Sequence, residues 1–104
     1  MRHFLSIILF VVYSGQPVLA DDFIILQSTT STQNSGLFDF ILPQFENASG
    51  IDVRVVAVGT GQALGNARNG DGDVLLVHSK SAEEKFVQDG FGLARADVMF
   101  NDFV

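Results

Sequence analysis

The stretch DFIILQSTTST, residues 22–32, decides the fold predicted for this chain. Its first part, residues 22–27, is a short run of apolar and β-branched side chains, which is typical of a strand buried in a parallel sheet. The polar segment at residues 28–35, which begins with five consecutive hydroxyl side chains, predicts a loop. Apolar residues then recur at spacings of three and four, which predicts a helix that contains Pro43 and ends at Gly50.

A second strand and helix follow on the same plan. Residues 52–58 (DVRVVAV) are apolar and β-branched, and they predict the second strand. The GTG sequence at residues 59–61 predicts a turn. Residues 62–69 predict a weaker helix that ends at Gly70.

A third unit comes next, with residues 73–77 (DVLLV) as its strand and residues 78–80 as its loop. Residues 82–89 predict a helix that is closed by a glycine. Ser81 and Glu84 have the S-x-x-E spacing of a capping box, which predicts the start of this helix.

This alternation predicts the fold class and its architecture. Three strand–helix units in succession indicate an α/β fold with a three-layer βαβ parallel sheet and right-handed crossovers. Residues 93–104 predict a loop that leads into one more strand, MFNDFV.

The first twenty residues predict a secretory signal peptide rather than part of the fold. A positive head, Met1-Arg2-His3, precedes an apolar run of about ten residues, and small residues precede Asp21. The alternative is a membrane anchor, but the apolar run is half of the roughly 20 residues that a span requires. We therefore expect cleavage after Ala20 and a periplasmic or secreted protein in which residues 21–104 form the folded part.

Composition excludes several classes of protein. The chain has 104 residues and no cysteine, which excludes disulfide scaffolds, cysteine-based zinc sites and iron–sulfur clusters. Twelve acidic and six basic residues give a net charge of −6, so no nucleic-acid partner is expected.

Three polar segments, at residues 28–32, 59–62 and 78–81, each follow a predicted strand and precede a helix. The carboxyl ends of parallel strands meet at one edge of a sheet, and helix N-termini there offer free N–H groups. Such a cluster of mostly neutral donors suits a small oxyanion. Simple helix capping is the alternative, and it would fully explain Thr60 and Ser81. The predicted oxyanion ligands are Thr29, Thr30, Ser31, Thr32, Thr60, Gly61 and Gln62, with Ser28, His78 and Ser79 behind them.

Two other motifs give weaker evidence about function. The glycine spacing of GTGQALG differs by one residue from that of the dinucleotide-binding fingerprint. That fingerprint also requires an acidic residue about 20 positions further along, after a second strand, and none stands there. Asn69, Asp71 and Asp73 imitate the start of a calcium loop, but Val74 and Lys80 occupy positions where glycine and glutamate are required. We therefore expect no metal-cation site and no cofactor.

Four linked motifs resemble those of the tungstate-binding receptors of ABC importers. These are residues 28–64, which begin with STTST and end with VGTGQAL, then GDGDVLLVHS at residues 70–79, AEEKFVQDGFG at residues 82–92 and VMFNDFV at residues 98–104. These receptors are extracytoplasmic substrate-binding proteins with a two-lobed, type II periplasmic binding protein-like fold. The resemblance covers essentially all of the chain after residue 20.

The resemblance implies roles for individual residues. A T-T-T-S-T run of the family matches residues 28–32, with serine as the first residue here, and it implies oxyanion contacts from that segment. The VGTGQAL match carries the same role to Thr60, Gly61 and Gln62. The sequence departs from the family at Gly65 and Asn66, where better helix formers are usual.

The implied function is capture of tungstate, or of molybdate, between two lobes and delivery to an ABC permease in the membrane, without catalysis. The match ends at Val104, where the family continues into its second lobe, so we expect an incomplete first lobe, a missing second lobe and a truncated receptor. Two alternatives stay open. One is a non-functional remnant, and the other is an enzyme or sensor built on a similar lobe with His78 and Lys80 as its titratable groups.

Overall fold

The computed structural model of the chain describes residues 22–99. These residues form a three-stranded parallel sheet with helices between the strands, which confirms the predicted α/β class. Its elements are β1 (Phe23–Thr29), α1 (Thr30–Asn34), α2 (Leu37–Ser49), β2 (Asp52–Val58), α3 (Thr60–Arg68), β3 (Val74–Leu75) and α4 (Lys80–Gln88).

The strand order is β2-β1-β3, with β1 in the centre. β1 and β2 pair over their full length, from Phe23 opposite Asp52 to Thr29 opposite Val58. β3 pairs with the middle of β1, where Leu26 stands opposite Val74. The central position of β1 explains why its second half is buried.

The core lies between this central strand and the helices that cover it. Its buried apolar side chains come from β1, α2, α3 and α4, so the three longer helices all contribute to it and the five-residue α1 does not. The apolar spacing predicted from the sequence for α2 places Phe38 in the core, and α2 continues through Pro43. The buried apolar residues are Leu26, Phe38, Ala63, Leu64 and Phe86.

The predicted loop at residues 28–35 is wrong over residues 28–34. Ser28 and Thr29 belong to β1, because pairing with β2 continues as far as Thr29. Thr30–Asn34 then forms the short helix α1, for which the Thr29 side chain accepts a hydrogen bond from the N–H of Thr32.

Helices α3 and α4 both begin two residues earlier than predicted. The N–H of Ala63 donates to the carbonyl of Gly59 at 2.9 Å, and the N–H of Glu83 donates to the carbonyl of Ser79 at 2.9 Å. One residue separates β2 from α3, and four residues separate β3 from α4. Neither N-cap residue uses a side-chain hydrogen bond, so the hydroxyl signatures in the sequence do not mark the helix starts.

The predicted capping box is therefore wrong. Ser81 lies inside α4 rather than at its N-cap, and Glu84 approaches Lys80, with 4.0 Å between the Lys80 Nζ and Glu84 Oε1 atoms. Thr60 is likewise the first helical residue of α3 and not its cap. The predicted helix ends are confirmed, since Gly50, Gly70 and Gly90 all have the positive φ angles that favour glycine at such ends.

The third strand is shorter than predicted, with two residues in place of five. A side chain extends its contact with β1, because the Asp73 carboxylate accepts the N–H of Ile25 at 2.8 Å. On the other side of β3, the N–H of Leu76 donates to the carbonyl of Gln27. Asp73 thus completes a backbone ladder in the place of a regular strand residue.

The segment after α4 has no regular secondary structure from residue 94 to residue 99. It is held by Arg95, whose Nη2 atom lies 2.8 Å from Asp97 Oδ1 and whose Nε atom lies 3.6 Å from Glu83 Oε1. The hydrogen bond to Asp97, followed by the charges of the neighbouring carboxylates, raises the pKa of Arg95 above its ordinary value.

Two sequence predictions lie outside the described residues. They are the signal peptide at residues 1–20 and the last five positions of the final strand. Within residues 22–99, no helix has the length and apolar character needed to cross a membrane.

Candidate functional site

The three predicted polar segments meet at one edge of the sheet. β1 ends at Thr29 and β2 ends directly beside it at Val58, while β3 ends at Leu75, so all three strands leave the sheet in the same direction. The strand order reverses between β1 and β3, and ligands of open parallel sheets bind in the crevice that such a reversal creates. The hydroxyl run begins on the central strand and continues into α1, between the other two segments.

The hydroxyl run divides into buried and exposed parts. Ser28 is fully buried, and its hydroxyl donates to the carbonyl of Leu76 at 2.6 Å, which ties β1 to the segment after β3. Thr29 is also buried, and its Oγ1 atom lies 2.8 Å from Thr32 Oγ1 and 3.2 Å from Ser31 Oγ. Thr30 and Ser31 are exposed at the edge. The buried hydroxyls therefore hold the backbone, and the exposed ones face outward from it.

The segment after β3 reaches the hydroxyl run through one side chain. The His78 Nε2 atom lies 3.4 Å from Ser31 Oγ, although these residues are far apart in sequence. Ser79 is the N-cap of α4 and makes no side-chain cap bond, and Lys80 begins that helix with an exposed side chain. The structure thus brings the first and third predicted segments into contact.

The segment after β2 presents backbone donors. Gly59 is the N-cap of α3 and has no side chain with which to accept an N–H group. The N–H groups of Gly61 and Gln62 in the first helical turn therefore keep no side-chain acceptor, and the positive end of the helix dipole lies with them. A methyl group built on Gly61 would meet nothing within 4 Å, so the space beside this turn is open.

Two residues that the sequence interpretation missed connect this segment to the sheet. The Gln62 Nε2 atom donates to Asn66 Oδ1 at 2.7 Å, and Asn66 Nδ2 donates to Gln27 Oε1 at 3.2 Å. Gln27 Nε2 in turn donates to the carbonyl of Asp71 at 2.8 Å. A glutamine inside an otherwise apolar strand was the available signal for Gln27, and the weak helix former at position 66 was the signal for Asn66.

The three segments at this edge are themselves free of acidic residues. None of the twelve acidic residues falls within residues 28–32, 58–62 or 76–81. All four threonines of the chain lie in the first two of these segments. Within residues 22–99, no group of three or more histidine and carboxylate side chains is placed to hold a metal ion. The three segments offer hydrogen-bond donors to a ligand, and the cavity that Ser31 and His78 line also has Glu83 and Asp97 in its wall.

The chain matches the PBP superfamily domain over residues 13–104. It is 62% identical over 81 residues to the tungstate-binding protein TupA of Peptoclostridium acidaminophilum, an alignment that covers 78% of this chain and 28% of that protein. It is 53% identical over 79 residues to a putative ABC transporter anion-binding protein of Haloferax volcanii, covering 76% of this chain and 23% of that one.

Solved structures show the same likeness. The crystal structure of the tungstate ABC transporter from Geobacter sulfurreducens superposes with a TM-score of 0.76 at 52% identity, over 80% of this chain and 36% of that one. The tungstate-binding protein TupA from Desulfovibrio alaskensis G20 gives a TM-score of 0.70 at 50% identity, over 71% of this chain and 30% of that one. The chain therefore spans about a quarter to a third of the length of these relatives.

Proposed function

Because this chain belongs to the PBP superfamily, we propose that it forms one wall of a receptor that captures tungstate for an ABC importer. Molybdate, which has the same tetrahedral shape and charge, is the competing oxyanion. The matched relatives are named as tungstate-binding or anion-binding proteins, and the donor set described above has the chemistry that an oxyanion requires.

The observation that carries this proposal is the uncapped first turn of α3 beside the hydroxyl run. Its N–H groups at Gly61 and Gln62 would bind oxygens of the dianion, together with the hydroxyls of Thr30, Ser31 and Thr60. The chain is negatively charged, so local dipoles rather than net charge would stabilise the ligand. Discrimination among oxyanions would then depend on ligand size and on the number of donors that reach each oxygen.

The buried hydroxyls support this wall from behind. Ser28 ties the end of β1 to Leu76, and Thr29 holds the first turn of α1. His78 contacts Ser31 and would orient its hydroxyl, while Ser79 stands at the start of α4. These contacts preorganise the donors, which lowers the cost of ordering them when the ligand binds.

A second wall would close the site. The matched segment covers 28% of the tungstate-binding relative from Peptoclostridium, so most of such a receptor lies beyond it. We assign residues 21–104 to part of the first lobe, which would follow cleavage of a signal peptide after Ala20. The second lobe would supply the remaining donors, and a membrane permease would receive the ligand outside the cytoplasm.

The first experiment is calorimetric titration of the full chain with tungstate, molybdate and sulfate. Ser31→Ala is the test variant and Ser81→Ala is the matched control, because both are exposed serines in helices and only Ser31 is among the predicted oxyanion ligands. Loss of one hydrogen bond predicts about a threefold to tenfold weaker affinity for Ser31→Ala. The control should bind as the parent does.

A chimera separates an incompetent wall from an incomplete site. Residues 22–99 would replace the matched segment of the Peptoclostridium relative, and circular dichroism would establish that the chimera folds. Tungstate binding by the chimera supports the proposal, even where the full chain alone binds weakly. A folded chimera that binds none of the three oxyanions would overturn it.

The enzyme alternative has no support from this edge of the sheet. His78 contacts Ser31, whereas Lys80 approaches the Glu84 carboxylate on its own helix, so His78 and Lys80 have different partners. The relatives are named as binding and transport proteins.

A further inference from the structure

We propose that Gln27, at the centre of the sheet, acts through Asn66 to set the orientation of the Gln62 side-chain amide. Gln27 and Asn66 are thus positioning residues for a side chain at the ligand-binding edge. The geometric part of this inference stands on its own contacts, and its consequence for ligand binding rests on the proposed function.

The first step is the burial of Gln27. Only 2% of this residue is exposed, and it lies on β1 between two neighbouring strands. Burial of an amide costs free energy unless both of its ends are hydrogen-bonded. Both ends are bonded here, to the carbonyl of Asp71 and to the amide of Asn66. An aliphatic residue of similar volume would fill the same space without these partners.

The second step is the direction of the hydrogen bonds. The carbonyl of Asp71 can only accept, so the Gln27 amide must turn its Nε2 atom toward it. The Gln27 Oε1 atom then faces Asn66, which must present its Nδ2 atom. The Oδ1 atom of Asn66 is thereby left to accept from Gln62 Nε2. One backbone carbonyl thus determines how three amides are turned.

Tight packing also restrains the Gln27 side chain. A Cβ atom added at Gly72 would lie 2.7 Å from the Cγ atom of Gln27, so the segment after α3 presses directly on this side chain. Gln27 therefore has little freedom to turn over. Its fixed amide transmits a fixed direction to Asn66 and, one helical turn away, to Gln62.

The consequence appears at the edge of the sheet. Gln62 lies in the first turn of α3, where the free N–H groups of the candidate site are found. Holding one Nε2 hydrogen on Asn66 leaves one Nε2 hydrogen and the Oε1 atom of Gln62 for other partners. We call this hydrogen-bonded series of amides, from Gln27 through Asn66 to Gln62, the amide relay. The amide relay thereby determines which side-chain donor Gln62 can offer to an oxyanion.

The test measures Gln62 in the full chain without ligand. The solvent-exchange rate of its side-chain NH₂ group is followed by ¹⁵N NMR, with the exposed Gln88 as the internal reference. Asn66→Ala removes the direct partner and should raise the Gln62 exchange rate about threefold to tenfold. Gln27→Met, which keeps the volume and removes the amide, should raise it by a smaller factor although Gln27 does not touch Gln62. Asn69→Ala, at the exposed end of the same helix, is the matched control and should change nothing.

The relay itself is tested by combining the variants. Gln27→Met should have no further effect on Gln62 in the Asn66→Ala background, because the connection is already broken. An unchanged Gln62 signal in folded Asn66→Ala would overturn the proposal. So would a Gln27→Met effect of the same size in both backgrounds, since that indicates general loosening of the sheet.

A tungstate titration of the same variants, introduced into the folded chimera described above, distinguishes this inference from the proposed function. Asn66→Ala should bind tungstate more weakly than the parent does. In a Gln62→Ala background, adding Asn66→Ala should have no further effect on binding. Both results together support positioning through Gln62. If the relay is present and no variant or parent binds tungstate, the geometry stands and the proposed function fails. If tungstate binds equally in all variants, the positioning role fails and the proposed function stands.

Discussion

Replacement of Gly72 by alanine should destabilise the protein through a single steric contact. The added Cβ would lie 2.7 Å from Gln27 Cγ, about 1 Å closer than two carbon atoms approach at their preferred separation. Gln27 is buried and bonded at both ends of its amide, so its Cγ atom is not the free end of a flexible side chain. The φ angle of Gly72 is not positive, so alanine meets no backbone penalty there.

The size of the effect follows from overpacking. Insertion of a methyl group into a filled interior typically costs about 1–3 kcal/mol of the free energy of unfolding. We expect the upper part of that range, because relief requires Gln27 to shift and to weaken its bonds to Asp71 and Asn66. Loss of those bonds would add to the steric cost.

Urea denaturation of the full chain, followed by circular dichroism, measures the effect. Gly65→Ala is the matched control, because a Cβ at that helical position meets nothing within 4 Å. It should stabilise the protein by up to about 1 kcal/mol, since alanine is the better helix former. The same substitution thus has opposite signs at two nearby glycines.

A double variant identifies the contact. Gln27→Ala removes the Cγ atom, so adding Gly72→Ala to it should cost much less than Gly72→Ala costs alone. A Gly72→Ala protein as stable as the parent would refute the reasoning. An equal cost of Gly72→Ala in both backgrounds would show that the destabilisation has another source.

Three further results are expected from the contacts at the edge of the sheet. Thr29→Val should lower the free energy of unfolding by about 1 kcal/mol, because it removes the acceptor for the first turn of α1. Thr30→Val, at the exposed neighbouring position, should change the free energy of unfolding by no more than about 0.5 kcal/mol. Similar urea midpoints for the two variants would contradict this. Gly61→Ala should raise the free energy of unfolding by up to about 1 kcal/mol, because alanine is the better helix former. It should nevertheless weaken tungstate binding by the chimera, because its methyl group occupies open space where the ligand must approach. Unchanged affinity in calorimetry would show that Gly61 is not part of the site. Asp73→Ala should cost about 1–2 kcal/mol because the N–H of Ile25 loses its 2.8 Å acceptor, while Asp73→Asn, which keeps an oxygen, should cost clearly less in thermal unfolding.

Much of the candidate site could be predicted from the sequence, because it depends on the order in which strands and polar segments follow one another along the chain. Each polar segment follows an apolar strand, and parallel pairing then requires all three to share one edge. The contact between Ser31 and His78 is the clearest outcome of that reasoning. The sequence pattern could not predict which hydroxyls of the run are buried, because burial of Ser28 and Thr29 depends on distant parts of the chain: β2 on one side of β1 and the segment after β3 on the other.

The sequence by itself determined the α/β class, the bounds of β2 and the glycines that close the helices, because strand periodicity and positive φ angles are properties of neighbouring residues. Only the tertiary structure decided where α3 and α4 begin, how short β3 is and what Gln27 contacts. The contacts of Gln27 and the extent of β3 depend on hydrogen bonds between residues about 40 or more positions apart, such as Asn66 to Gln27 and Ser28 to Leu76, whereas α3 and α4 begin at backbone bonds between close neighbours in sequence. Such partners are chosen by which backbone groups the packed sheet leaves unsatisfied, and no local pattern carries that information.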